Sequence, residues 1–311
     1  MLYKSFVRRA LALHITTGIR SYASSTSRMG QPPQSYTLDR TIFNENLYSR
    51  MRDFWFYGLP ENASAPPFGL LKMWWGIDSS KEQRAHFDGK CSENFKHALE
   101  ALGPDNLALP PFESHEKDVD QAATISMPLL TEVKEAQAQH LKKGADTLLA
   151  LILILDQMSR NIYRDAGGLR LVFGHFDRLA LTLLHASMKL SPNPVDLEEY
   201  RLRPVIKQWY LMPLMHSEHL LSHELFSDIS LKSRGEVGRV GDQAAVEYLD
   251  RSLWFEEKHV QPLRKFGRYP HRNAALGRES TKEETEELRS GDTFGVGQDG
   301  KDDKSSEKSE L

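Results

Sequence analysis

The chain reads as an all-α protein with no regular sheet, and three observations carry that reading. From about residue 41 to residue 289, apolar residues recur at three- and four-residue steps, the spacing of one helix face. Alternating apolar–polar runs bounded by turn residues, the mark of half-buried strands, are essentially absent. Clusters such as Gly103-Pro104 and Ser191-Pro-Asn-Pro194 punctuate the periodic stretches where helices should stop.

The elements follow in order. Ser79 and Ser80 can cap a helix carrying Phe87, Cys91, Phe95, Leu99 and Leu102, which Gly103-Pro104 ends. A second helix is expected from near Asp146 through Arg164. Its apolar run Leu148–Leu155 is too short for a bilayer, which needs about 20 residues, and so reads as a buried helix face. A third spans about Leu169 to Leu190 with Val172, Phe173, Phe176, Leu179 and Leu183 on one face. Asp196 is expected to cap a helix through Trp209, with Pro204 and Pro213 at starts or kinks. A late helix covers roughly Asp242 to Lys265, and a short last one opens at a capping box, Ser280-Thr-Lys-Glu283. Pro60–Phe68, Gly103–Pro128 and Lys232–Gly241 read as loops from their proline and glycine content. The second of these suggests an excursion between helices on the surface.

Composition narrows the function. With 311 residues, 40% of them hydrophobic, the chain can bury a large core. A net charge of −3, with no long basic patch, gives nucleic acid no electrostatic footprint. The single Cys91 excludes an internal disulfide framework and any cysteine-based metal cluster within one chain, and it reads as a core residue. In residues 1–40, Lys4, Arg8, Arg9, Arg20 and Arg28 precede the first acid, Asp39, among serines, threonines and alanines. That is the composition of a mitochondrial transit peptide directing the chain to the matrix, with a cytoplasmic protein bearing a disordered basic tail as the alternative. Residues 290–311 are nearly devoid of apolar side chains and read as a disordered tail. A single helical domain, 41–289, lies between.

Three polar clusters sit beside apolar runs, where unpaired charge is costly. In Asp156-Gln-Met-Ser-Arg160 the acid and the arginine face each other one helical turn apart, and Arg164 extends the ridge. Such a guanidinium can grip a carboxylate or phosphate, or tie the helix to a neighbour. His216 and Glu218 follow Pro213 and suit proton transfer. Phe266-Gly-Arg-Tyr-Pro-His-Arg-Asn273 is the densest: Gly267 and Gly277 permit unusual backbone angles, Pro270 fixes a bend, and Arg268, His271, Arg272 and Asn273 radiate from it. It can be an anion cradle or a clamp on helix ends. No metal is assigned. His219 and His223 are spaced like helical metal ligands, and His216, Glu218, His259 and His271 are a second conceivable set, but neither has the spacing of a zinc-protease motif. The sequence leaves any cofactor unknown.

At these residues the chain resembles the family known as domain of unknown function 924, common in bacteria and also found in fungi. The resemblance rests on Asp53-Phe-Trp-Phe56, Trp74-Trp75, Leu155-Asp-Gln-Met-Ser-Arg-Asn-Ile-Tyr-Arg164, Phe176-Asp177, Met212-Pro-Leu-Met-His-Ser-Glu218, His259 and the Phe266–Thr281 stretch, and covers roughly residues 50 to 288. It implies a helical array akin to tetratricopeptide-repeat proteins and supplies no activity. His219 and His223 stand where the family usually has an aspartate and a glutamine, so any metal pairing of those two would be private to this chain. The expected site therefore has Asp156, Arg160, Arg164, Arg268, Arg272 and Asn273 binding an anionic small molecule while His216, Glu218 or His271 moves a proton. The alternative is a non-catalytic adaptor whose groove takes a peptide or partner protein.

Overall fold

The computed structural model describes residues 36–290. The expectations for the basic leader and the polar tail fall almost wholly on residues outside that range. Among the described residues there are helices and turns and no strand.

The first helix, α1 (Glu45–Trp55), is capped by the Asn44 side chain, and a loop from 56 to 67 leads to α2 (Phe68–Trp75). Next, α3 (Lys81–Ala101) opens on a full capping box between Ser80 and Gln83 and buries Cys91, Phe95 and Leu99, as their spacing requires. Helices α4 (His115–Asp120), α5 (Ala122–Ile125) and α6 (Met127–Gln139) follow, so the second half of the region read as a surface loop is helical. It is also anchored. Leu107, Ala122 and Ile125 are buried, and Asp118 receives a two-pronged ion pair from Arg178 at 2.7 and 2.8 Å. The prolines misled because Pro128 sits in the first turn of α6, where its missing N–H costs nothing.

The apolar run lies on α7 (Leu141–Ile152), which widens into a π-helical turn at Leu153–Met158 and finishes as α8 (Ser159–Ile162), all one continuous rod. A second rod is built the same way from α9 (Ala166–Leu171), a π-helical turn at Val172–Phe176, and α10 (Asp177–Met188). The helix expected from Asp196 starts later. Two short 3-10 turns, Pro194–Asp196 and Glu198–Tyr200, precede α11 (Pro204–Met215), because Pro204 is suited to a first turn and not to an interior. Every residue of α11 is buried. Its Trp209 meets Trp55 and Trp74 edge-on at 4.9 and 4.8 Å, which accounts for those three as core, and stacks on the exposed Trp75 at 5.4 Å.

Helix α12 (Leu220–Arg239) runs through the stretch read as the third loop, and the turn comes only at 240–241. It packs along α13 (Gln243–Phe266), whose N-terminus the Asp242 side chain caps at 3.0 Å from Ala245 N. Gly267, at φ +70°, ends α13 in the left-handed region as a side-chain-free residue can. The last helix, α14 (Lys282–Ser290), is capped one residue later than expected. Thr281 Oγ1 accepts from Glu284 N while Glu284 accepts from Thr281 N.

Candidate functional site

The three polar clusters meet. Asp156 sits in the first π-helical turn with none of its side chain exposed, and its Oδ1 lies 2.8 Å from Nδ1 of His216, at the C-terminal end of α11. Gln157 donates to the other oxygen at 2.5 Å, and Arg160 approaches the carboxylate at 3.4 Å. Asp177, the first residue after the second π-helical turn, takes both amines of Arg160 at 2.7 and 3.0 Å and one of Arg272 at 3.3 Å. Arg272 donates to the His216 carbonyl at 2.8 Å, closing the ring of contacts, and its flat guanidinium lies against Phe173 and Tyr269 at 4.5 and 4.8 Å.

Glu218 is the hinge to the C-terminal elbow. It accepts from Tyr269 N at 2.7 Å and from both amines of Arg278 at 2.7 and 2.8 Å. Burial pushes its carboxyl up, but the hydrogen bond from Arg278 and the charges of Arg272 and Arg278 outweigh that and hold it below the usual range. Glu218 is thereby placed to hold the elbow, an acceptor already saturated with donors.

Three neutral imidazoles gather beside the acids. His216 and His259 lie 6.2 Å apart by ring centroid, and His271 stacks on Tyr269 at 5.3 Å. Burial and the charge of Arg160 push His216 below its ordinary value even though Asp156 pulls it the other way. Burial takes His259 down to about 3 and, with Arg272, takes His271 well down. Asp156 is held at about 2: burial raises it, and the interactions with His216 and Arg160 together with the hydrogen bonds from His216 and Gln157 lower it further than burial raises it. An ionised Asp156 facing a neutral His216 fixes the tautomer. The proton must sit on Nδ1, donated to Asp156, which leaves the Nε2 lone pair for chemistry. Within the cluster His216 and Arg160 are partly exposed, at 13% and 22% of their side chains.

A second acid–histidine pair lies behind the first and is closed. His223 sends Nε2–H to the Ser217 carbonyl at 2.8 Å, and its Nδ1 faces Glu256 at 2.7 Å, with the two side chains 1% and 2% exposed. Burial raises the Glu256 carboxyl above its ordinary value. His219 turns the other way, stacking on His115 at 5.4 Å and reaching Glu116 at 3.3 Å. The two histidines spaced like metal ligands therefore face different partners.

Of the expected site residues, Asp156, Arg160, His216, Glu218, His271 and Arg272 come together. Two arginines do not join them. Arg164 points outward to Asp88 at 2.6 and 2.9 Å, because the helix ends just before it, after Ile162. Arg268 clamps Glu284 of α14 at 2.6 and 2.9 Å, and Asn273 donates to Ser280 and that same Glu284 at 3.1 and 3.3 Å. Asp177, Gln157, Tyr269 and Arg278 were not singled out as site residues. Asp177 could have been, since it follows Phe176 in a matching motif; Gln157 has no charge pattern to mark it. Two recesses of the described surface lie elsewhere, one of about 400 Å3 beside Arg52 and Arg203 and one of about 170 Å3 beside Pro192.

Fold and site together define an all-helical protein built around a buried, charge-matched network of arginines, acids and histidines. Over residues 51–292 the chain matches the family described as "Bacterial protein of unknown function (DUF924)", and it belongs to that family. A solved structure of a protein of unknown function from Agrobacterium tumefaciens is similar at 20% identity, covering 81% of this chain and 100% of that one with a TM-score of 0.45. No curated protein matches the chain.

Proposed function

We propose that the chain binds a small anionic molecule at the partly exposed edge of this network and that His216 moves a proton on it. The observation that carries the reading is the Asp156–His216 contact of 2.8 Å, fully buried on the acid's side and partly exposed on the imidazole's. A carboxylate that orients an imidazole through Nδ1–H and leaves Nε2 at the edge is the arrangement of a general base. Arg160 supplies positive charge at the same edge, and Arg272 is a positioning residue that holds the His216 carbonyl. The composition of residues 1–40 supports a mitochondrial address.

The test is a thermal-shift screen of small carboxylates and phosphates, followed by incubation of any binder in heavy water. A binder that takes up solvent deuterium with the wild type, and ceases to with His216→Gln while its binding persists, supports proton transfer. Binding without exchange, or exchange unaffected by the substitution, overturns it.

One observation favours a second reading. Three carboxylates, Asp156, Asp177 and Glu218, already balance three arginines, Arg160, Arg272 and Arg278, so the network can serve as a clamp. A tetratricopeptide-like adaptor would then use an outer face such as that of Trp254 and Phe255, which are 55% and 46% exposed on α13. A failed small-molecule screen together with saturable binding of a peptide weakened by Trp254→Ala favours this reading.

A further inference from the structure

The recess of about 400 Å3 is formed where α1, α7, α11 and the loop after α1 converge, away from the histidines. Its apolar lining is partly core: Leu149, Tyr200 and Ile206 are 1%, 5% and 7% exposed, and Phe56 and Leu59 complete the apolar surface. Tyr57, 80% exposed, also lines it. Two guanidiniums, Arg52 and Arg203, face one carboxylate, Asp53, around it.

Neither guanidinium is exhausted by its partners. Arg203 spends Nε on the Ala63 carbonyl at 3.2 Å, a contact that, with Val205 N to Ser64 O at 3.0 Å, pins the loop to the start of α11. Among the described residues its two terminal amines donate no hydrogen bond. Arg52 reaches the Asp146 carbonyl at 3.3 Å and stands 3.8 Å from the carboxylates of Glu45 and Asp146. Asp146 is already taken more closely by Lys142 at 2.6 Å and by the Tyr200 hydroxyl. The result is an apolar slot edged by a forked donor fixed at one nitrogen and open at the other two, the geometry that matches a carboxylate.

We propose that this recess binds a small carboxylate carrying an apolar or aromatic body, with the acid on Arg203 and Arg52 and the body over Tyr200 and Ile206. Calorimetry with 4-phenylbutyrate, its amide and the corresponding amine tests it on the full chain. Expected are saturable binding of the acid, an amide weaker by about tenfold, and no measurable binding of the amine. Arg203→Gln should weaken the acid by about tenfold, and Asp53→Asn should tighten it about threefold by removing the opposing charge. Asp53 is exposed, so that variant keeps the test decisive where Arg203→Gln loosens the loop. His216→Gln should leave this affinity unchanged, which separates the recess from the histidine site. Equal binding of acid and amide, preference for the amine, absence of saturation, or indifference to both charge changes overturns the proposal.

Discussion

Acid should destabilise this protein through histidines that the fold keeps neutral, and His259 allows the size of the effect to be worked out. Its folded value is about 3 because it is buried, against an ordinary 6.5 in the unfolded chain. A folded value below the unfolded one means that stability is fully present above pH 6.5 and is lost as pH falls toward 3, since only the unfolded chain takes up the proton. At pH 5 the medium is about 1.5 pH units below the unfolded value, and at about 1.36 kcal/mol per unit His259 alone removes roughly 2 kcal/mol. His185, held at about 4 by burial, adds a similar amount, and His271 acts in the same direction. Together these losses are comparable with the roughly 5–15 kcal/mol that hold a typical domain folded. Urea unfolding at pH 7.5 and pH 5 measures the loss for wild type and for His259→Gln. The variant should lose about 2 kcal/mol less between the two pH values than the wild type, whatever its stability at pH 7.5. Equal losses in both proteins would show that His259 is not held neutral by the fold.

Two further outcomes follow from the packing. Arg178→Met strands the buried Asp118 and should cost about 3–5 kcal/mol, seen as a fall of roughly 10 °C in melting temperature; a surface decoration at 103–128 would give less than about 1 kcal/mol. Arg268→Met should free α14, raising amide exchange in residues 282–290 while leaving the His216 ring resonances in place, because Arg268 bonds Glu284 and Glu279 and not the cluster. Movement of the His216 signals would contradict that separation.

The helices with broad apolar stripes could be read from sequence because burial on one face repeats with the helical period. Phe95 and Leu99 on α3 and Leu148 to Leu155 on the central rod illustrate it. The end of α12 was hidden because its buried stripe is interrupted by serines. Ser222, Phe226, Ser230, Ser233 and Val237 keep helical spacing, while Gly235 and Gly238 look like turn residues. In α12 those glycines sit within a helix packed along α13, and an added Cβ at Gly238 would meet only Val246, at 3.8 Å. Within the site, the meeting of Asp156, His216 and Arg272 could be anticipated from the cost of isolated buried charge. The choice of Arg272 and Arg278 over Arg268 could not. It depends on how Gly267 and the 3-10 turn at Pro270–Arg272 aim the side chains, and all three arginines look alike in one dimension.

The two π-helical turns place one more residue in a turn than an α-helix does. Deleting one residue from Leu153–Met158 would let the rod relax to ordinary winding, and because each remaining residue then turns further, the helix beyond would keep nearly its present facing relative to the helix before. The wide turn thus lets the rod carry one residue more than ordinary winding would while the helices on either side keep their partners.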